Sequence, residues 1–338
     1  MDIRQVGREH GARYVLEGGV RKGGNRRRIT AQLIEAETGA HLWADKFDGG
    51  LDDLFDLQDQ ITERVVGVIE PSVRRSEIER SRRKRPDNLS AYDLYLRALP
   101  HMASAMPTEA RVAARLLEDA LRLDPNFAPA HAELAHCHEI FFLRAGFDPA
   151  GINAGRKHAE AALASGTDDA SALSAAAFVI WNLGQDFETA VGAIERALSF
   201  NPSCASALLL GGFIYAMDAN TVVATAYARR APRLSPFDPF AIMAYLAPGA
   251  SAVFEDRYEE AISLYAKAVQ LNPRFSSLYA CHAAALTLAG RVEDAKPVLR
   301  KLLELEPAIR SGPMMQIVRN PVLAGKFQAA ARLLVLPE

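Results

Sequence analysis

Apolar and polar positions follow two different periods along this chain, and the change between them falls near residue 50. Before it, Ile29, Ala31 and Leu33 alternate with Thr30 and Gln32, the period-two pattern of a half-buried strand. Arg13 to Val20 and His41 to Phe47 read as two further strands, joined through turn signals at Gly23-Gly24-Asn25 and Thr38-Gly39. Asp2 to Gly11 suits a short helix that stops at its glycine. After the change, Leu54, Leu57, Ile61, Val65 and Val68 keep helical spacing, and Pro71 is expected to kink or break that helix. Beyond Pro86-Asp87-Asn88, the clearest boundary in the chain, the pattern is helix after helix, in pairs.

The pairs repeat. Gly290-Arg291-Val292-Glu293-Asp294-Ala295 follows Asp256-Arg257-Tyr258-Glu259-Glu260-Ala261, and Ala261/Ala295, Tyr265/Leu299 and Pro273/Pro307 all keep one offset of 34 residues. This period, with small residues where paired helices touch and a proline after the second helix, resembles the tetratricopeptide repeat. Pro125, Pro202, Pro236, Pro273 and Pro307 close successive units at intervals of 77, 34, 37 and 34 residues. The long first interval hides a degenerate unit, with Lys157 to Leu163 in its second helix and Ser165-Gly166-Thr167-Asp168 as its turn. Gln185 and the Tyr245–Phe254 region read as insertion points, and Pro248 should bend one first helix. About six units result, and Asn320 to Leu334 reads as a terminal helix covering the last open face. The expected fold is mainly α: a tetratricopeptide α-solenoid over 87–338, preceded by a small, incomplete α/β module over 1–50 and a helical linker over 51–86.

Charge and composition narrow the function classes. A formal net charge of −2 gives no global pull toward nucleic acid or an anionic membrane. The basic run Arg74, Arg75, Arg80, Arg82, Arg83, Lys84 and Arg85 has no interleaved aromatic residues for base stacking, so it reads as a solvated face, and no nucleic-acid partner is expected. Cys137, Cys204 and Cys281 are odd in number and far apart, which suits a reducing cytosol. Met1 to His10 is too polar for a signal peptide, and Ala170 to Leu183 is too short to span a bilayer. The expected location is cytoplasmic.

Candidate chemistry is sparse. His131, His136, Cys137 and His138 are the only metal-like cluster, but His131 and His138 lie two helical turns apart, roughly 10 Å. Packing between the two helices of a unit is the expected role of those two histidines. Gly18 to Gly24 lacks the order of a phosphate loop and has no helix behind it, so it reads as a glycine-rich hairpin. Asp52, Asp53, Asp56 and Asp59 sit where they complement a helix dipole. There is no nucleophile elbow, no zinc-protease motif and no paired-carboxylate motif. No catalytic residue, metal or cofactor is expected.

The concave groove remains. In tetratricopeptide arrays it is lined from positions two, five, nine and twelve or thirteen of each first helix. Carried onto this chain, the resemblance implies Ala132, His136 and Glu139; Ser174, Phe178 and Trp181; Leu209, Phe213 and Met217; and Ala280, Ala284 and Leu288. This aromatic and apolar middle has two readings: ordinary core between repeats, or a surface that receives an amphipathic helix or apolar segment of a protein partner. The Lys/Asn/Arg clamp that chaperone-binding repeats use for a terminal carboxylate is absent from these positions.

A second resemblance covers the rest. Tyr14-Val15-Leu16-Glu17-Gly18-Gly19-Val20-Arg21, Arg28 to Ile34 and Thr38-Gly39-Ala40-His41-Leu42-Trp43-Ala44 resemble the back half of a TolB-N-like module. Together with Phe55 to Pro86 and Ala91-Tyr92-Asp93-Leu94-Tyr95-Leu96-Arg97, they resemble the C-terminal part of rhizobial-type class III adenylate/guanylate cyclases with tetratricopeptide repeats. In such proteins this region follows a cyclase, winged-helix or kinase domain. Neither a cyclase's metal-binding carboxylates nor its transition-state pair is found here. The resemblance implies a non-catalytic interaction scaffold, the regulatory region of a bacterial signalling protein. The alternative is the C-terminal part of a cyclase whose catalytic domain lies outside this chain. The module's first strands are missing from the pattern, so the start looks truncated, and its open sheet edge would suit a second copy of the chain.

Overall fold

A computed structural model describes residues 2–23, 26–50, 54–102, 105–144, 149–166, 168–235, 238, 240–307, 309 and 318–334. The chain divides into two compact units, Met1–Lys84 with Arg233–Phe237, and Arg85–Pro232 with Asp238–Glu338.

The first unit opens with α1 (Ile3–His10). The Asp2 carboxylate accepts the Arg4 amide at 3.0 Å and so satisfies a free donor of the first turn. Gly11, at φ 62°, ends the helix in the left-handed region that a side chain disfavours. Three strands follow, β1 (Tyr14–Gly23), β2 (Arg26–Glu35) and β3 (Ala40–Gly50), antiparallel in the order β1-β2-β3. Gly39 turns the chain between the last two at φ 75°, while Gly24 and Asn25 of the expected hairpin lie outside the described residues. Leu16 pairs with Leu33 and Val20 with Ile29, while Leu33 pairs with Trp43 and Ile29 with Phe47. These residues therefore share one face of the sheet.

The stretch expected as a linker is, from Leu54 to Arg83, the helix α2 that covers part of this face. Ile61 and Val65 pack on Ile29, Ala31, Trp43 and Phe47. The helix continues through Pro71 without a break. Packing on the sheet before the proline and a buried carboxylate after it hold both halves and outweigh the lost hydrogen bond. That carboxylate, Glu77, is 3% exposed. It accepts from Arg13 at 2.6 Å, the Tyr14 hydroxyl at 2.8 Å and Arg80 at 2.8 Å. Burial alone would raise its pKa, but these donors outweigh it and the net direction is downward. Asp52 and Asp53 lie outside the described residues.

The second unit begins with a short turn at Pro86–Asn88 and is a row of helix pairs: α3 (Ala91–Met102) with α4 (Pro107–Leu123), α5 (Ala128–Arg144) with α6 (Pro149–Ser165), and α7 (Ala170–Gly184) with α8 (Phe187–Phe200). Then come α9 (Ala205–Met217) with α10 (Thr221–Leu234), α11 (Met243–Phe254) with α12 (Tyr258–Leu271), and α13 (Ser276–Leu288) with α14 (Val292–Leu305). The degenerate pair is thus complete, with Lys157 to Leu163 inside α6, though Thr167 of its turn lies outside the described residues. Alanines fully buried in second helices, such as Ala110, Ala113, Ala190, Ala261 and Ala295, let the paired backbones approach closely. Gly249 is required for the same reason: a Cβ there would lie 2.4 Å from the buried Tyr265 ring. Pro248 sits inside α11 without ending it. The first helices α5, α7, α9 and α11 pack on one another in succession. A last helix, α15 (Pro321–Leu333), is capped by Asn320 and packs on the first helices α13 and α11.

Candidate functional site

Every residue expected to line the groove lies on a first helix: His136 and Glu139 on α5, Ser174, Phe178 and Trp181 on α7, Leu209, Phe213 and Met217 on α9, Ala284 and Leu288 on α13. These are buried except Leu288, which is half-buried; of the other two, Ala132 on α5 is buried and Ala280 on α13 is half-buried. The structure brings the middle ones together. The Trp181 ring lies 5.7 Å from Phe178 and meets Phe213 edge-on at 5.6 Å. His136 contacts Phe178 at 6.3 Å and Phe240 at 5.6 Å. Ser174 is fully buried and donates to the Ser171 carbonyl at 2.9 Å. The middle of the row is interior to the folded chain, because successive first helices press their aromatic faces together.

A polar network lies against these rings. Asn182 donates to Glu139, whose second oxygen is 3.8 Å from His136 Nε2. The Arg144 guanidinium donates to the Ala105 carbonyl at 2.7 Å and lies 4.0 Å over the Phe275 ring, so the end of α5 meets the start of α13. Ser276 donates to Glu306. Burial raises the Glu139 carboxyl above its ordinary range and lowers Arg144. Burial also opposes charge on His136, but Glu133 and Glu139 outweigh it and its direction is upward. Among the described residues Arg144 Nη2 and Asn182 Oδ1 have no hydrogen-bond partner, and His136 Nδ1 has none nearer than the Glu133 carboxylate at 3.7 Å. This network can hold charge and orient helices. It has no nucleophile beside a base, since the neighbouring Cys137 faces away, 3.4 Å from the Met102 sulfur, with its thiol pushed up by burial.

His131 and His138 pack against His158, between the paired helices α5 and α6. His131 Nδ1 is 2.9 Å from His158 Nδ1 on α6, and its other nitrogen meets the Pro125 carbonyl. The His138 ring stacks on His158 at 5.9 Å. Among the described residues no group of His, Cys, Asp or Glu is placed to hold a metal ion.

A second set of contacts escaped sequence reasoning: the seat of α15. Leu323, Phe327, Ala330 and Ala331 are buried along one side of that helix. The Lys326 ammonium donates to the carbonyls of Val253 at 3.1 Å and Phe254 at 2.7 Å, and to Asp256 at 2.8 Å. The Val253 carbonyl also accepts the Asp256 amide at 3.3 Å, so the cation adds a second donor there, meets the Phe254 carbonyl of the last turn and suits the dipole of α11. The Asn320 amide donates to the Met217 carbonyl at the end of α9. Arg319 pairs with Glu188 and Asp218 and lies 4.6 Å over the Phe187 ring. The one available signal was Lys326, the single charged residue among the first eleven of that helix.

Among the described residues, six helix pairs with small residues at the pair contacts, first helices side by side and a helix seated on that row define a tetratricopeptide-type solenoid. Comparisons with known proteins agree on the fold. A tetratricopeptide repeat family model matches residues 249–275, the turn from α11 through α12. Over 134 residues, 40% of the chain, the sequence is 42% identical to "Putative adenylate cyclase 3" of Rhizobium meliloti (strain 1021), and the match spans only 23% of that protein. Among solved structures, a monomeric mutant of IFIT1 with m7Gppp-AAAA aligns over 74% of this chain and 60% of its own, at TM-score 0.54 and 16% identity. The tetratricopeptide protein TTC0263 of Thermus thermophilus aligns over 59% of this chain and all of its own, at TM-score 0.44 and 21% identity. At 16% identity the likeness to the IFIT1 mutant concerns fold alone. Among the described residues no helix is long and apolar enough to cross a membrane.

Proposed function

We propose that this chain is a non-catalytic protein-interaction scaffold, the regulatory region of a bacterial signalling protein acting in the cytoplasm. The row of first helices is its binding face, and the partner's contact is an amphipathic helix. One observation carries this reading: the row already receives a helix, α15, through an apolar stripe and a lysine on the carbonyls that end α11. A partner helix of the same pattern competes for that seat. His136, Glu139, Ser174, Phe178, Trp181, Leu209, Phe213 and Met217 form the packed floor of the face, and Ala284 and Leu288 continue it along α13. The first unit, read as a TolB-N-like module, has an open β1 edge that we assign to a second copy of the chain.

The test uses a fluorescent peptide of residues 319–334 against the full chain carrying Phe327→Ala, which loosens α15 in its seat. Anisotropy should rise saturably with the variant and much less with the unaltered chain. A folded variant that binds no peptide would remove the helix-receiving face.

The partial identity to a protein named as an adenylate cyclase supports a second reading, in which this region is the C-terminal part of such an enzyme. On either reading the purified chain forms no cyclic nucleotide from ATP or GTP with Mg²⁺ or Mn²⁺. Measurable product would place catalytic groups in this chain and overturn both.

A further inference from the structure

We infer that β1 is a self-complementary edge on which two copies of this chain join their sheets, antiparallel and centred on Gly18. The inference rests on the assignment of the open edge to a second copy and adds the register and the face. Among the described residues β1 pairs with β2 alone, so one side of a ten-residue strand presents its backbone groups outward. Among the described residues that side is not blunted: the strand has no proline, its pairing with β2 runs without irregularity, and Leu16 through Gly23 is exposed. Leu16, Gly18 and Val20 share the sheet face that carries Leu33, Ala31 and Ile29. α2 covers that face over β2 and β3 through Ile61 and Val65. Over β1 the cover stops, and Leu16 is 49% and Val20 62% exposed.

The sequence of β1 names the occupant. Laid antiparallel on itself about Gly18, Leu16 falls opposite Val20 of the second copy, and Val20 opposite its Leu16. Both exposed apolar side chains then meet apolar ones on the face already shared with the core. On the opposite face, Glu17 lies diagonal both to Arg21 of the second copy, an opposite-charge neighbour formed twice by symmetry, and to that copy's Glu17, a like-charge neighbour formed once, so the register rests on the apolar face. Gly18 stands against itself on the two-fold, where any side chain would meet its own copy. A shift of one residue turns the apolar set to the other face. Centring on Gly19 instead puts Leu16 opposite Lys22 and leaves Val20 opposite a glycine.

The experiment uses the full chain and sedimentation velocity. The unaltered protein should be a dimer at tens of micromolar, and Leu16→Lys with Val20→Lys should weaken association by about a hundredfold or more. Both side chains are exposed, so folding should survive. Leu16→Thr with Val20→Thr, which keeps good strand formers, provides a second reading if the lysines disturb the sheet. In a Cys281→Ala background, Gly18→Cys should cross-link two copies under mild oxidation faster than Gly19→Cys. A monomer at every concentration, or a dimer indifferent to both double variants, would remove the second-copy reading itself. A dimer that is sensitive to Leu16 and Val20 but cross-links through Gly19→Cys would overturn the register proposed here and leave that reading standing.

Discussion

Trp181→Ala probes the packed floor of the first-helix row. The side chain is 3% exposed, with Phe178 and Phe213 rings at 5.7 and 5.6 Å. On the order of 200 Å² of ring surface at about 25 cal/mol per Å² corresponds to about 5 kcal/mol of transfer free energy, of which alanine keeps about 1. The hole left between α7 and α9 relaxes only in part, so the expected loss is about 3–5 kcal/mol. Because the Trp181–Phe213 contact is edge-on, a cycle with Phe213→Ala should show a coupling of about 1 kcal/mol. Urea unfolding followed by far-ultraviolet circular dichroism measures both quantities. A loss below about 1 kcal/mol, with unchanged cooperativity, would refute the reasoning. The rings would then face water, and the aromatic row would be an open surface.

Acidification should loosen the α5–α6 pair. Burial first, then His131, His138 and Lys157, lower His158 to about 4, so the folded form binds fewer protons than the unfolded one. The stability it contributes is complete above pH 6.5 and is lost as pH falls toward 4. The melting temperature should drop across that window, and His158→Gln should flatten the drop. Tyr265→Phe removes a buried hydroxyl that has no partner and should stabilise the chain by about 1 kcal/mol in urea unfolding. Gly249→Ala, which drives a methyl group into the same ring, should cost about 1–3 kcal/mol. Glu77→Ala strips Arg13 and Tyr14 of their shared acceptor, costing about 1–3 kcal/mol. Amide exchange in β1 should speed up accordingly.

The repeat was legible because one offset carried Ala261 onto Ala295, and both sit fully buried where paired helices touch. Placing Phe178, Trp181 and Phe213 on first helices needed only the helical period and the turn prolines. Their cover was not legible, since it depends on how closely α5, α7 and α9 approach, and that distance is set across units. Phe240, which closes over His136, falls between Pro236 and α11, where the apolar pattern is silent. The stripe of α2 gives its amphipathic face without saying which surface receives it. The seat of α15 rests on backbone carbonyls of Val253 and Phe254, which no side-chain pattern reports.

The central claim is that the row of first helices receives a helix. Hydrogen exchange on the Phe327→Ala chain, with and without saturating peptide of residues 319–334, tests it most directly. The account predicts slowed exchange at the end of α9 near Met217, in α11 through Phe254, and in α13. Protection confined to the second helices α10, α12 and α14 would contradict it.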